Sequence, residues 1–477
     1  MMQFSRNTRR RLALYGGAAI VAALLVGLPP FLRSRAPQVT VPEFDIGELR
    51  SREATRLLRE YVRIDSSNPP GRTVETARFW AEKLGCEGIP FEIVGSDPEH
   101  PIVVARLAGR RRGEALLLLH HMDVFPVGDL SEWDHPPFGA VDGTGLLGNY
   151  ICGRGTIDMK GQGIADFLAI ASLRRDGLVP ERDLVFVAEP GEETYTPQIG
   201  IGWLFENRPD LLEGVTDVFN EGGVNEVSGD RIARFGIEVL QKSAVLARAE
   251  AARKEDLRTF SDFLEARMAA EPYQVLDEVQ DFLTFVSPSR SDVWGHQMTD
   301  TRSAVRAGGL GEKIPEPYRA LMRDMYYTGE PLPASDGKGF TTSVAATLLP
   351  GRSVRGRWEE MQAWAARYRV RLRLVSLTPD SVPVARAGRA WETLQTVLAL
   401  DPVEHADVGP YVLTGSYTNS SYLRLRGDVR AFGTSPFGLN ILDATTVHSK
   451  NERIYLPAYI DGVERTARIV REYALAP

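Results

Sequence analysis

Apolar residues in this 477-residue chain follow several rhythms in turn. Leu12 to Leu32 is a run of 21 residues without a charge, long enough to cross a bilayer as a helix at about 1.5 Å rise per residue. Arg6, Arg9, Arg10 and Arg11 precede it, while Arg33 and Arg35 follow. That imbalance predicts a single-pass anchor over 12–32, with the N-terminal segment 1–11 in the cytoplasm and the body outside. A cleaved signal peptide is the rival reading. The stretch is long for such a segment, however, and no small-residue cleavage site follows before Arg33.

After a linker over 33–42, ELRSREATRLLREYVRI has helical spacing and stops at SSNPPG. IVVARLAG and ALLLLHH then read as strands, MKGQGIADFLAIASLRRDG as a helix, and DLVFVAE and VTDVFNE as strands again. This alternation predicts an α/β domain over 43–238, with a mostly parallel central sheet and helices on both faces. From about residue 239 the texture changes. AEAARKEDLRTFSDFLEARMAA and PYQVLDEVQDFL read as charged helices, and SRSDVWGHQMTDTRSAVRAGGLGEKIPEP as loops. GFTTSVAATLLPG, RWEEMQAWAARY and RVRLRLVSL read as strand, helix and strand. Such a mixture predicts a two-layer α+β domain inserted over 239–378, after which the chain returns to the first domain over 379–477.

Composition narrows the function. The net charge is −7, which argues against a nucleic-acid partner, since that would require a basic face. Two cysteines, Cys86 and Cys152, exclude a disulfide framework. Hydrophobic and charged fractions of 43% and 25% are those of an ordinary globular protein.

The chemistry concentrates where predicted strands end. In a strand, residues i and i+2 face the same way, so His121 and Asp123 share a face and His120 looks to the other. A carboxylate that accepts the ring N–H fixes the tautomer and raises the basicity of a ligand, so His121 is the better ligand candidate and Asp123 its orienting partner. Asp158 sits at a Gly-rich turn before a helix, Glu192 and Glu193 just past VFVAEPG, Glu221 at the end of VTDVFNE, and His448 in TTVHSKNERI. In open α/β sheets the reactive crevice lies at such strand ends. Two histidines and three of these carboxylates suit zinc, with cobalt or manganese as alternatives. Five ligands exceed what one catalytic zinc takes but suit two divalent ions sharing one carboxylate.

LLLLHHMDVFPV, then WDHPPFGAVDGTGLLGNYICGRGTIDMKG, GEET, FNEGG and VHSKNE stand in an order that resembles the co-catalytic di-zinc amidohydrolase and exopeptidase family. That family includes aminoacylase, carboxypeptidase G, carnosinase-like dipeptidases and succinyl-diaminopimelate desuccinylase. The likeness covers roughly 45–235 and 380–477. It implies that Asp158 bridges two metals, that His121 and Glu221 complete one site and Glu193 and His448 the other, and that Glu192 is the general base. It further implies a carboxypeptidase, dipeptidase or N-acyl-amino-acid amidohydrolase acting on a small peptide or N-acyl amino acid. It also raises a homodimer formed through the inserted domain.

The pattern has gaps. Gly191 and Asn220 stand where relatives usually carry aspartate. The histidine that relatives place in the inserted domain is missing, and His296, the one imidazole in 239–378, reads as a surface residue. That loss keeps open a catalytically silent relative that binds ligand through an altered lid. Arg352, Arg355 and Arg424 are candidates for a substrate carboxylate. GTGLLG, with Gly143, Gly145 and Gly148, is a literal dinucleotide fingerprint, but no apolar strand precedes it and no helix follows, so the context that motif requires is absent.

Overall fold

The computed structural model describes residues 47–476, apart from 146–147, 230, 291–292, 309–313, 316–317, 336, 405 and 414–416. The expected anchor 12–32 lies outside the described residues, and among those no helix is long and apolar enough to cross a membrane.

A nine-stranded sheet forms the centre. It contains β1 (Phe91–Val94), β2 (Ile102–Leu107), β3 (Arg111–His121), β6 (Arg182–Glu189), β7 (Val215–Asn220), β8 (Val224–Ser228), β9 (Arg231–Gln241), β15 (Asp407–Leu413) and β16 (Arg430–Gly433). Their order is β1-β2-β6-β3-β7-β16-β9-β15, with β8 paired to β9. The four strands β6, β3, β7 and β16 are mutually parallel, and β15 runs parallel to β9. The pairings β1–β2, β2–β6, β8–β9 and β16–β9 are antiparallel. The sheet is therefore mixed, and the expectation of a mostly parallel one holds for the four central strands and the β9–β15 pair. Two-sided burial makes a strand uniformly apolar, so the run ALLLL could not show the direction of its neighbours.

The same run shows how both faces are covered. Leu116 and Leu118 enter one core with the helices Lys160–Arg175 and Leu456–Leu475, while Leu117 and Leu119 enter a second with Ile201, Leu204 and Leu423. Period-two alternation along β3 thus binds both layers to one strand.

A second, five-stranded antiparallel sheet holds β10 (Ser243–Ala251), β11 (Met325–Thr328), β12 (Leu332–Pro333), β13 (Phe340–Leu348) and β14 (Arg371–Leu377). The helices Lys254–Ala270 and Val354–Arg367 supply Leu257, Phe260, Leu264, Met361 and Ala365 to its core. AEA, expected in a helix, forms the end of β10, and the helix starts at Lys254. Not all of the expected insert packs here. Val279, Phe282, Leu283, Trp294, Met298, Tyr318 and Met322 join the core of the large sheet, with Phe282 edge-on to Tyr411 of β15 at 4.8 Å. Part of the stretch expected as loop is helical, over Val293–Met298 and Thr301–Arg306.

A small three-stranded sheet joins β17 (Arg453–Tyr455), β5 (Gly148–Cys152) and β4 (Val141–Gly145). GTGLLG spans the β4–β5 pair, with Gly145 opposite Gly148, which agrees with rejecting it as a nucleotide loop.

Candidate metal centre

Parallel neighbours β6, β3 and β7 end on the same side, and each delivers acid or imidazole there. His121 is the last residue of β3, Glu221 follows β7 directly, and Glu192 and Glu193 lie in the turn after β6. Asp158 arrives from the turn between β5 and the helix Lys160–Arg175, and His448 from the loop before β17. Side chains from five segments therefore converge.

Asp158 is central. Its Oδ1 is 3.0 Å from His121 Nε2, and its Oδ2 is 2.8 Å from His448 Nε2. His121 Nε2 also lies 3.6 Å from Glu221 Oε1, and His448 Nε2 3.1 Å from Glu193 Oε2. Candidate ligand atoms of His121, Asp158 and Glu193 fall within 4.8 Å of one another, as do those of His121, Glu192 and Glu221.

Electrostatics explain why such a cluster would suit a cation. Four carboxylates face two imidazoles in a largely buried space, and unpaired buried charge is costly. The carboxyl of Glu192 is pushed well above its ordinary range by burial and then by Glu221. Glu193 is raised by burial, against the pull of His448. Burial and Asp158 push Glu221 up to about 7. Burial acts to raise Asp158 too, but the imidazoles of His121 and His448 hold it well below the usual carboxylate range.

Several of the donors point inward without satisfying each other. Glu192 Oε1, Glu193 Oε1 and His448 Nε2 are buried and lack a hydrogen-bond partner, although His448 Nε2 has two carboxylate oxygens near it. His121 Nε2 is within hydrogen-bond distance of Asp158 Oδ1, but the remaining nitrogen and oxygen atoms crowd together unsatisfied, which suits ligands aimed at a shared cation. A set of imidazole and carboxylate donors fits zinc or its borderline neighbours.

His121 is oriented by a different atom than expected. Its Nδ1 is 2.8 Å from the backbone carbonyl of Asp123, which accepts the ring proton and leaves Nε2 free to bind. The Asp123 carboxylate stands 3.8 Å from Nδ1. It accepts instead from Glu193 N at 3.1 Å, Glu192 N at 3.4 Å and Asn68 Nδ2 at 2.7 Å. The correction has a simple cause: β3 ends at His121, so strand alternation does not govern residue 123. Asp123 therefore positions the glutamate turn through its side chain and His121 through its main chain.

His120 does face the other way. It is buried among Tyr61, Trp80 and Phe186, and burial followed by the charge of His121 holds its pKa well below the usual value, so it is neutral.

Several supporting residues carry no strand-end signature and escaped the sequence reading. Glu452 Oε1 accepts from the backbone amides of Ile157 at 2.9 Å and Asp158 at 3.2 Å, and its Oε2 pairs with Arg154 at 2.6 Å. Arg154 lies over the Phe125 and Trp133 rings, and Phe125 stacks on His448 at 4.4 Å. The glutamate after VHSKN was in view in the sequence, but its partners lie nearly three hundred residues earlier.

The arginine candidates go elsewhere. Arg424 is buried, with both terminal nitrogens 2.7 Å from the carboxylate oxygens of Glu238 and its Nε donating to Ala431 O. The guanidinium is thus directed at Glu238 and Ala431. Arg352 is exposed after β13 and donates to Gln274 at 3.4 Å, and Arg355 is exposed on the next helix. His296 and His135 are exposed, His100 pairs with Asp97, and His405 lies outside the described residues. Asn419, in a glycosylation-type triplet, is buried and donates to Glu189.

The fold resembles human carnosine dipeptidase 1, with a TM-score of 0.67 at 15% identity over 90% of this chain and 98% of that one. It likewise resembles an M20 family metallo-carboxypeptidase, Sso-CP2 from Sulfolobus solfataricus, with a TM-score of 0.66 at 16% identity over 88% and 99%. In sequence it is 34% identical over 147 residues to N-formyl-4-amino-5-aminomethyl-2-methylpyrimidine deformylase of Halalkalibacterium halodurans, 30% of this chain. That match spans a third of the relative's own length. Residues 117–472 match Peptidase family M20/M25/M40, a span that runs from β3 to the last helix and takes in all five converging segments. The chain belongs to that family.

Proposed function

We propose that this protein hydrolyses a C–N amide bond in a small substrate: a dipeptide, the C-terminal residue of a peptide, or an N-acyl amino acid. The observation that carries this reading is Asp158, which turns one carboxylate oxygen to each of two imidazoles. His121 and Glu221 would hold one divalent ion, Glu193 and His448 the other, with Asp158 shared between them. Two such ions, zinc or in its place cobalt or manganese, supply Lewis acidity and a water ionised near neutral pH. Glu192, buried and adjacent to this set, takes the proton from the attacking water and passes it to the leaving nitrogen. Burial, then Glu221, raise its carboxyl above the ordinary carboxylate range, the direction that favours holding a transferred proton. A deformylase, a dipeptidase and a carboxypeptidase are among the proteins it resembles, and release of an acyl or aminoacyl group from nitrogen is common to those names.

Purified protein should carry two equivalents of divalent metal and hydrolyse members of a panel of dipeptides and N-acyl amino acids. Chelation should abolish that activity, and zinc, cobalt or manganese should restore it. Full metal occupancy without turnover on the whole panel would instead favour a silent binding protein.

The uncharged stretch 12–32 supports a tether that holds the hydrolase on the extracytoplasmic face of a membrane. Fractionation should then recover the intact chain with membranes, whereas a shortened soluble product would show a cleaved signal.

A further inference from the structure

The hydroxyl of Tyr417 is a buried polar group that the steps above leave unused. The residue is 5% exposed, and its Oη has no hydrogen-bond partner among the described residues. Folds satisfy nearly all such groups, and an exception calls for an explanation such as a catalytic role or a water or ion that completes the bond.

The ring sits beside the glutamate turn, next to a hydrogen-bonded segment. Gln241, the last residue of β9, accepts from Thr418 N at 3.0 Å and donates to Thr418 O at 2.8 Å. Asn419 Nδ2 donates to Glu189 Oε1 at 2.9 Å, at the end of β6. The Tyr417 ring meets the Tyr195 ring edge-on at 5.2 Å. Tyr195 N in turn donates to Glu192 O at 2.8 Å, closing the turn that bears both glutamates.

Amide hydrolysis places negative charge on the former carbonyl oxygen, and a preorganised donor at that point stabilises the transition state. His296, the one imidazole of residues 239–378, is exposed. We propose that Tyr417 is a catalytic residue whose hydroxyl donates a hydrogen bond to the carbonyl oxygen of the scissile amide and holds the oxyanion formed there. This inference rests on the amide-hydrolase reading above. Burial first, then the carboxylates of Glu192 and Glu189, keep the phenol protonated well beyond the ordinary tyrosine range, as a donor requires.

The step balances without proton loss from the tyrosine. The water oxygen bonds to the carbonyl carbon while its proton passes to Glu192, and the C=O π pair moves onto oxygen. When that pair returns, the C–N bond breaks and Glu192 delivers its proton to nitrogen.

Tyr417→Phe keeps the ring and removes only the hydroxyl. It should lower kcat on the order of 10²–10³-fold, the usual loss for one oxyanion donor, with KM, metal content and Tm close to wild type. Affinity for a dipeptide phosphinate, a tetrahedral mimic, should fall by a similar factor while affinity for the product amino acid holds. An unchanged kcat, or a rise in KM alone, overturns the assignment to Tyr417. If Glu192→Gln is nonetheless inactive, the hydrolase reading survives that result. A metal-loaded wild type that cleaves no amide removes both.

Discussion

Glu192→Gln should leave both metals bound and reduce turnover by at least about a hundredfold, the low end for loss of a general base. The substitution preserves shape, so the backbone contact of residue 192 with Asp123 persists. What disappears is the proton acceptor. The outcome is informative because the geometry permits a second role: Glu192 lies with His121 and Glu221 in one of the two clusters able to hold an ion. Metal analysis of the variant separates the roles. A ligand lost would empty or weaken one site, whereas a base lost leaves the metal content alone and stops the chemistry. Undiminished turnover would sink the base assignment.

The second large effect is on stability. Arg424→Met should destabilise the fold by about 3–5 kcal/mol, the range for removing one partner of a buried ion pair, as read from denaturant unfolding. Arg424 and Glu238 have side chains 1% and 0% exposed and meet through two contacts of 2.7 Å. Methionine fills the volume but leaves the Glu238 carboxylate buried without its counter-charge. Folded variant should retain the wild-type KM. A raised KM at unchanged stability would return Arg424 to the substrate-binding role that its sequence context first suggested.

The contrast between those two residues shows what the sequence could and could not disclose. Strand-end acids and histidines stood out because long apolar runs make their setting unmistakable, and a polar group placed there has to be satisfied by something. His121, Glu192, Glu193 and Glu221 were legible on that ground, Asp158 by its Gly-rich turn and His448 by its place in the ordered motifs, and the structure brings the six together. Arg424 carried no such constraint, since an arginine in a mixed segment looks alike whether it meets substrate or Glu238. Asp123 was legible as a participant but not in its task, because its carboxylate bonds the amides of a turn some seventy residues away. The mixed sheet direction, and the packing of Phe282 and Trp294 on the large sheet rather than the small one, depend on neighbours that periodicity does not encode. Helical spacing says that a face is buried and leaves open what buries it.

The centre's two imidazoles come from opposite sides of the 239–378 stretch, so no fragment of nascent chain holding only the first can chelate as the finished molecule does. If the centre binds ions as proposed, their uptake would be a late event, contingent on the loop before β17 having closed against strands made long before. A translocated polypeptide would accordingly acquire its ions after export, from whatever pool the receiving compartment maintains, and that supply would decide which element the mature centre carries.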